Sequence, residues 1–169
     1  MLPGSRRSAA FLLSAFLVAA ALASGSCGPT VDLTRGLEVL DISSGWFDAG
    51  IVEGKNKLVP SISLKIANVS PDDISNVQVN AIFRRVGEQE AWGEHFVRAI
   101  DSGGLKAGAS TGDIVLRSTL GYTSETSRAD MLRNSQFVDA KVEIFGKHGS
   151  RTWAKMGEYP IDRKLLTAQ

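Results

Sequence analysis

The chain has 169 residues, with 19 Lys and Arg against 18 Asp and Glu, a single cysteine and 43% hydrophobic residues. That length suits one domain with a short appendage. The near balance of charge argues against nucleic acid, which requires a concentrated basic face, and one cysteine excludes an internal disulfide.

The appendage comes first. Arg6 and Arg7 precede a continuous apolar run from Ala9 to Ala23, and the small residues Ser24, Gly25 and Ser26 follow it. The run falls short of the roughly 20 residues that span a bilayer, and the layout predicts a secretory signal peptide over residues 1–26. Phe11 lies too far beyond the arginine pair for a good twin-arginine signal, so general secretory export is expected. Cleavage after Ala23 would release a soluble protein starting at Ser24. Cleavage before Cys27 would expose an N-terminal cysteine for diacyl modification, as in bacterial lipoproteins. The lipoprotein signal has Leu three positions before the cysteine, where this chain has Ser24. An uncleaved anchor helix is the remaining alternative.

A lone thiol in an oxidising compartment is a liability unless it is modified. The polar stretch GPTVDLTRG behind Cys27 also suits a tether. Lipidation at Cys27 is therefore the expectation, with residues 27–35 as tether and residues 36–169 as the folded domain. Removing residues 1–26 takes away Arg6 and Arg7 and no acid, which leaves 17 basic against 18 acidic residues. Such a surface has no electrostatic reason to lie on an anionic membrane, so membrane contact would come from the two acyl chains that stable anchoring needs.

The rest of the chain alternates between apolar runs and turns. GLEVLDI (36–42) and GWFDAGIVEG (45–54) are predicted strands, and GKNK (54–57) a turn. In LVPSISLKIANVS, Ile62, Leu64 and Ile66 alternate with Ser61, Ser63 and Lys65, the period of a half-buried strand. SPDD (70–73) is a turn with Pro second. Val77, Val79, Ala81 and Phe83 then share one face against Asn76, Gln78, Asn80 and Arg84. Strands are expected over 91–100 and 111–119, on either side of a Gly-rich loop. The last two runs, FVDAKVEIF and RTWAKMGEYPI, flank the turn GKHGS and predict a β-hairpin. Its first strand would bury Val138, Ala140, Val142 and Ile144, and its second would set Trp153, Lys155 and Tyr159 against Thr152, Ala154 and Met156. One helix is expected within 126–135, with Ser127 as N-cap and Asn134 near its stop. The fold class that follows is all-β: an Ig-like antiparallel β-sandwich of about seven strands, with one short helix in a connection.

The stretch SLKIANVSPDDISNVQVNAIFR places Asn68 eight residues before Asn76-Val77, and GLKAGAS follows with Leu105 ahead of a Gly-containing turn. This pattern resembles bacterial exported immunoglobulin-like domains of the FxLYD kind and, more loosely, the late-embryogenesis-abundant type 2 domain. The likeness covers about half the mature chain. The Phe-x-Leu-Tyr-Asp run itself is absent. The resemblance implies an interaction or structural module of the cell envelope and carries over no catalytic residues.

No arrangement of reactive residues points to catalysis. His95 and His148 are far apart in sequence, and the usual metal-ligand spacings are missing. No G-x-S-x-G elbow occurs. Asp72-Asp73 falls in a turn, and no helix is expected behind the Gly-rich 102–112 stretch to cradle a phosphate. No enzyme activity, metal or cofactor is therefore expected. Trp46, Trp92 and Trp153 are expected to pack in or cap the core, with Trp153 the best placed of them for exposure. Partner contact, with an envelope protein, is expected at Trp153 and in the 120–135 segment through Tyr122 and Arg128.

Overall fold

A computed structural model describes residues 32–167. Its elements in chain order are α1 (Leu33–Gly36), β1 (Leu37–Val52), β2 (Lys55–Asn68), β3 (Val77–Arg85), β4 (Gly93–Ile100), β5 (Ile114–Arg117), β6 (Tyr122–Ser124), α2 (Arg128–Arg133), β7 (Ala140–His148), β8 (Ala154–Pro160) and β9 (Leu165–Leu166). They form two sheets. The first has the order β5-β2-β1-β9, with β6 also on the edge of β2, and the second has the order β4-β3-β7-β8. All pairings are antiparallel except the short parallel pairing of β1 with β9. The predicted all-β sandwich is the observed fold.

The core lies between the sheets and comes from the alternating runs. Ile62, Leu64 and Ile66 of β2, Val77, Val79, Ala81 and Phe83 of β3, and Val142 and Ile144 of β7 are all fully buried. Facing residues of that size on two sheets bury enough apolar surface to hold a sandwich together. The domain's packing begins before Gly36. Leu33 on α1 belongs to the core cluster, so the last part of the expected tether is folded structure. Asp32 caps α1, its carboxylate accepting from the Thr34 N–H.

Nine strands among the described residues replace the expected seven or so, for reasons of local geometry. The first two expected strands are one. β1 runs through Asp41-Ile42, which together oppose Leu64, and through a second irregularity between Asp48 and Ile51. Each extra residue shifts the side-chain phase, and Asp41 takes a positive φ of 51° to make the first bulge. The turn after β1 is the two-residue loop Glu53-Gly54, both with positive φ, the geometry of a tight hairpin in which glycine is at ease. β6 and β9 are too short to show a period in sequence.

The second hairpin also differs from expectation. β7 continues through Gly146 and Lys147 to His148, so His148 ends a strand instead of sitting in the turn. Val138 lies ahead of β7 and is exposed. A bulge on β8 sets Gly157 and Lys155 opposite Ile144 and Phe145 of β7 and leaves Met156 unpaired. The phase flips there, so Met156 and Tyr159 both pack toward the core while Lys155 and Glu158 face outward. Gly157 permits this, since a Cβ there would lie 2.7 Å from the ring of Tyr159.

Candidate interaction surface

The residues expected to meet a partner fall on two separate parts of the molecule. Trp153 enters β8 on the outer face of the second sheet. Its ring lies edge-on to that of Phe96 from β4 at 6.1 Å, and the Lys147 ammonium sits 5.3 Å from its centroid. Phe96 is 55% exposed and Trp153 40% exposed. The pair therefore presents aromatic surface outward on a sheet whose outer face also carries a run of charged side chains.

That charge is arranged as an alternating chain. Arg84 holds Glu143 at 2.8 Å, Glu143 holds Lys155 at 2.7 Å, Lys155 holds Glu158 at 2.7 Å, and Glu158 holds Lys141 at 2.9 Å. Lys155 and then Lys141 bring the Glu158 carboxyl down to about 2. Lys155 and Arg84 hold Glu143 below the usual carboxylate range as well. The bulge at Met156 makes the chain possible, because it sets Lys155 and Glu158 on one face.

Tyr122 and Arg128, the other residues expected to meet a partner, belong to the segment between β5 and β7. The segment is built into the domain. Met131 and Leu132 of α2 are buried in the core cluster. Ser127 caps α2 as expected, accepting from the Asp130 N–H. Tyr122 joins a knot of rings, with Trp46 at 5.6 Å, Trp92 at 4.8 Å and Phe137 at 4.9 Å. Its hydroxyl donates to the Val138 carbonyl, and burial pushes the phenol up. Arg163 ties the end of the segment down, donating to Asp139 and to the carbonyls of Leu132, Asn134 and Phe137. Gly121 crosses directly over the Leu58 carbonyl, where a Cβ would lie 2.0 Å away.

Arg128 is paired within the domain. Its Nε lies 2.5 Å from the Asp48 carboxylate, both side chains about a quarter exposed. Burial pushes Asp48 up, but Arg128 and the Gly50 N–H outweigh it and hold the carboxyl below its ordinary value. Beside the aromatic knot, Tyr122, Thr126, Met131, Asn134 and Phe137 line an open cavity of about 270 Å³. Tyr122 is thus accessible on one side only.

The tryptophans divide as their surroundings dictate. Trp46 is fully buried, Trp92 is partly buried in the same knot with Arg85 5.7 Å from its ring, and Trp153 is the exposed one. His95 has a structural role. Its Nδ1 lies 2.8 Å from the Arg117 carbonyl and 3.1 Å from the Arg117 N–H, so it staples the edge of the second sheet to β5 of the first. Asp73 of the carboxylate pair holds Lys106 at 2.6 Å, and that bond keeps its carboxyl below the usual range. Among the described residues no group of three His, Cys, Asp or Glu side chains could hold a metal ion, and no helix is long and apolar enough to cross a membrane. Cys27 and the expected signal peptide lie outside the described residues.

The residues that carry the family resemblance form one corner of the sandwich. Asn68 is fully buried. Its Oδ1 accepts from the Ser70 N–H and hydroxyl, and its Nδ2 donates to the carbonyls of Asp72 and Leu105. These bonds use its full capacity. Asn76 adopts a positive φ of 56° where the chain turns back, and Leu105 bridges Ile74. The motif therefore encodes a turn, with no chemistry attached.

No protein-family model matches the chain, and no curated protein matches it. Among solved structures it is similar to a Northeast Structural Genomics Consortium target, SoR45, at 10% identity over 77% of this chain and 89% of that one, with a TM-score of 0.42. It is also similar to the ligand binding region of Serine-glutamate repeat protein A of Enterococcus faecium, at 12% identity over 76% of this chain and 98% of that one, with a TM-score of 0.31. Neither likeness is close enough to bear on function.

Proposed function

We propose that the chain is a non-enzymatic lipoprotein of the cell envelope, exported, anchored through Cys27 and facing the periplasm, where its sandwich serves as an interaction module and accessory subunit of an envelope complex. The observation that carries the interaction reading is the exposed Phe96–Trp153 pair. Large aromatic side chains left outward beside charged ones are the residues that anchor protein contacts, and Trp is enriched among them. The neighbouring ion pairs give that patch a polar rim of fixed geometry. The anchoring reading rests on the sequence around Cys27, where a single thiol follows small residues and precedes a polar stretch.

Two measurements test the two halves of this reading. Replacing Trp153 and Phe96 with alanine is expected to abolish crosslinking of the protein to its partner in intact cells and to leave the thermal midpoint within a few degrees. Undiminished crosslinking would remove the patch from the interface. Intact mass of the membrane-fraction protein is expected to show a diacylglyceryl increment that Cys27→Ser abolishes. A protein beginning at Ser24 would instead support a second reading, a soluble periplasmic ligand-binding or spacer protein, which the cavities of this domain also suit.

A further inference from the structure

The outer face of the first sheet carries a trough that none of the features above uses, with a volume of about 540 Å³. Its floor is Ser43 of β1 with Ser61 and Ser63 of β2, small residues set side by side by the β1–β2 register. Its walls are tall. Arg117 of β5 reaches across β2 to set its guanidinium 3.8 Å from the Phe47 ring of β1, closing one end, and along the β9 side Leu166 closes over Gly45. Asp41 and Asp113 stand at the other end of the trough, with Lys65 between them at 2.8 Å and 3.9 Å. The floor is sunk deeply enough that Ser61 is only 2% exposed although it faces away from the core.

The hydroxyl of Ser61 has no hydrogen-bond partner among the described residues, and those of Ser43 and Ser63 have none either. None of these oxygens is sealed from solvent without a partner, so water serves them in the free protein and a polar ligand can take its place. Here the free hydroxyls line a concavity whose volume falls in the range of small-molecule sites. The charges around it cancel, since Asp41 and Asp113 are offset by Lys65 and Arg117, so the trough favours neither an anion nor a cation. An extended peptide would find no backbone groups to pair with, because the floor is a sheet face whose N–H and C=O groups are already bonded in the ladder.

From this geometry we infer that the trough binds a neutral, hydroxyl-rich ligand: a saccharide of one or two rings. Sugar hydroxyls both donate and accept, which matches serine hydroxyls that do the same, carboxylates that accept and a guanidinium that donates. Val115 and Leu166 supply apolar surface for the C–H face of a ring. The inference is independent of lipidation at Cys27 and of the Phe96–Trp153 patch.

The test is heteronuclear NMR titration of the full chain with neutral sugars: glucose, galactose, N-acetylglucosamine and the β-1,4 disaccharides of glucose and N-acetylglucosamine. Glucosamine and galacturonic acid serve as the cationic and anionic comparators. At least one neutral sugar is expected to saturate a single site with a Kd of about 1 mM or tighter, with shifts confined to Ser61, Ser63, Val115 and Arg117. Ser61→Val is expected to weaken that binding about tenfold or more at unchanged thermal midpoint. Asp113→Asn, at an exposed position where folding is not at stake, is expected to weaken it several-fold. Failure of every neutral sugar to bind, tighter binding of either charged comparator, indifference to both substitutions, or shifts centred on Phe96 and Trp153 would each overturn the assignment.

Discussion

The two outer faces of this sandwich are built on opposite plans. On the second sheet each charged side chain from Arg84 to Lys141 meets an opposite charge, and the rings of Phe96 and Trp153 stand above them. On the first sheet the centre is paved with serines whose hydroxyls are unpartnered, and the bulk is pushed to the rim. The charged groups of the second sheet are spent on one another, with Asn80 Oδ1 left buried and unpartnered beside them, and the face holds a rigid apolar patch suited to a macromolecule. A face with free donors and acceptors at the bottom of a trough is suited to the reverse task. Both faces carry charged and polar side chains; what separates them is how many of those groups bind one another and how many face water.

The largest test of this contrast is Gly45→Ala. Its Cβ would lie 2.8 Å from both the Leu166 side chain and the Lys164 carbonyl, so β9 must move off β1. The expected cost is about 2 kcal/mol, typical of an added methyl in a filled space. Urea unfolding measures it, and hydrogen exchange at the Trp46 amide, which donates to Lys164, should accelerate. Sugar binding should weaken with it, while the acid response of the second sheet stays as in the parent.

The converse change is Glu143→Ala. This carboxylate is 15% exposed and serves both Arg84 and Lys155. Its loss leaves two cations facing each other, at an expected cost of about 1–2 kcal/mol in the urea midpoint. The trough should keep its ligand affinity. A change there would show that the faces are coupled through the core.

The smallest effect is confined to acid. Glu158 titrates at about 2 in the folded protein, against 4.5 for an ordinary glutamate. A carboxylate whose value is lowered by folding adds stability above its unfolded value, and that stability is lost as pH falls through the folded one. The denaturation midpoint should therefore decline between about pH 4.5 and pH 2, and Glu158→Gln should flatten that decline. An equally steep decline in the variant would assign it to other carboxylates.

Much of the interior was readable from sequence, because Ile62, Leu64, Ile66 and the run from Val77 to Phe83 alternate without interruption and alternation is what a two-layer fold requires. The reading failed where one residue breaks the phase. Asp41-Ile42 looks like the end of a strand and is a bulge inside one, and Met156 reverses the assignment of Tyr159. The helix at 128–133 was signalled by its Ser127 cap, but the burial of Met131 and Leu132 against distant strands was not. The trough was hidden for a similar reason. Ser61 and Ser63 read as an ordinary wet face, and only the arrival of Arg117 and Leu166 from far along the chain gives that face walls.

The anchorage of the chain after β8 has a kinetic side. The Ser44 hydroxyl donates to the Pro160 carbonyl and accepts from the Asp162 N–H, joining positions 116 residues apart, and β9 then lies parallel to β1 just beyond. Contacts of such long range have to close a large loop before they give anything back, which places sandwiches of this kind among the slow folders. For a chain emerging from its N-terminal end, the first strand stays without its β9 neighbour until nearly everything else has appeared. Completion of the domain thereby waits for β9, and the trough, walled by that strand, is the final part of the domain to take shape.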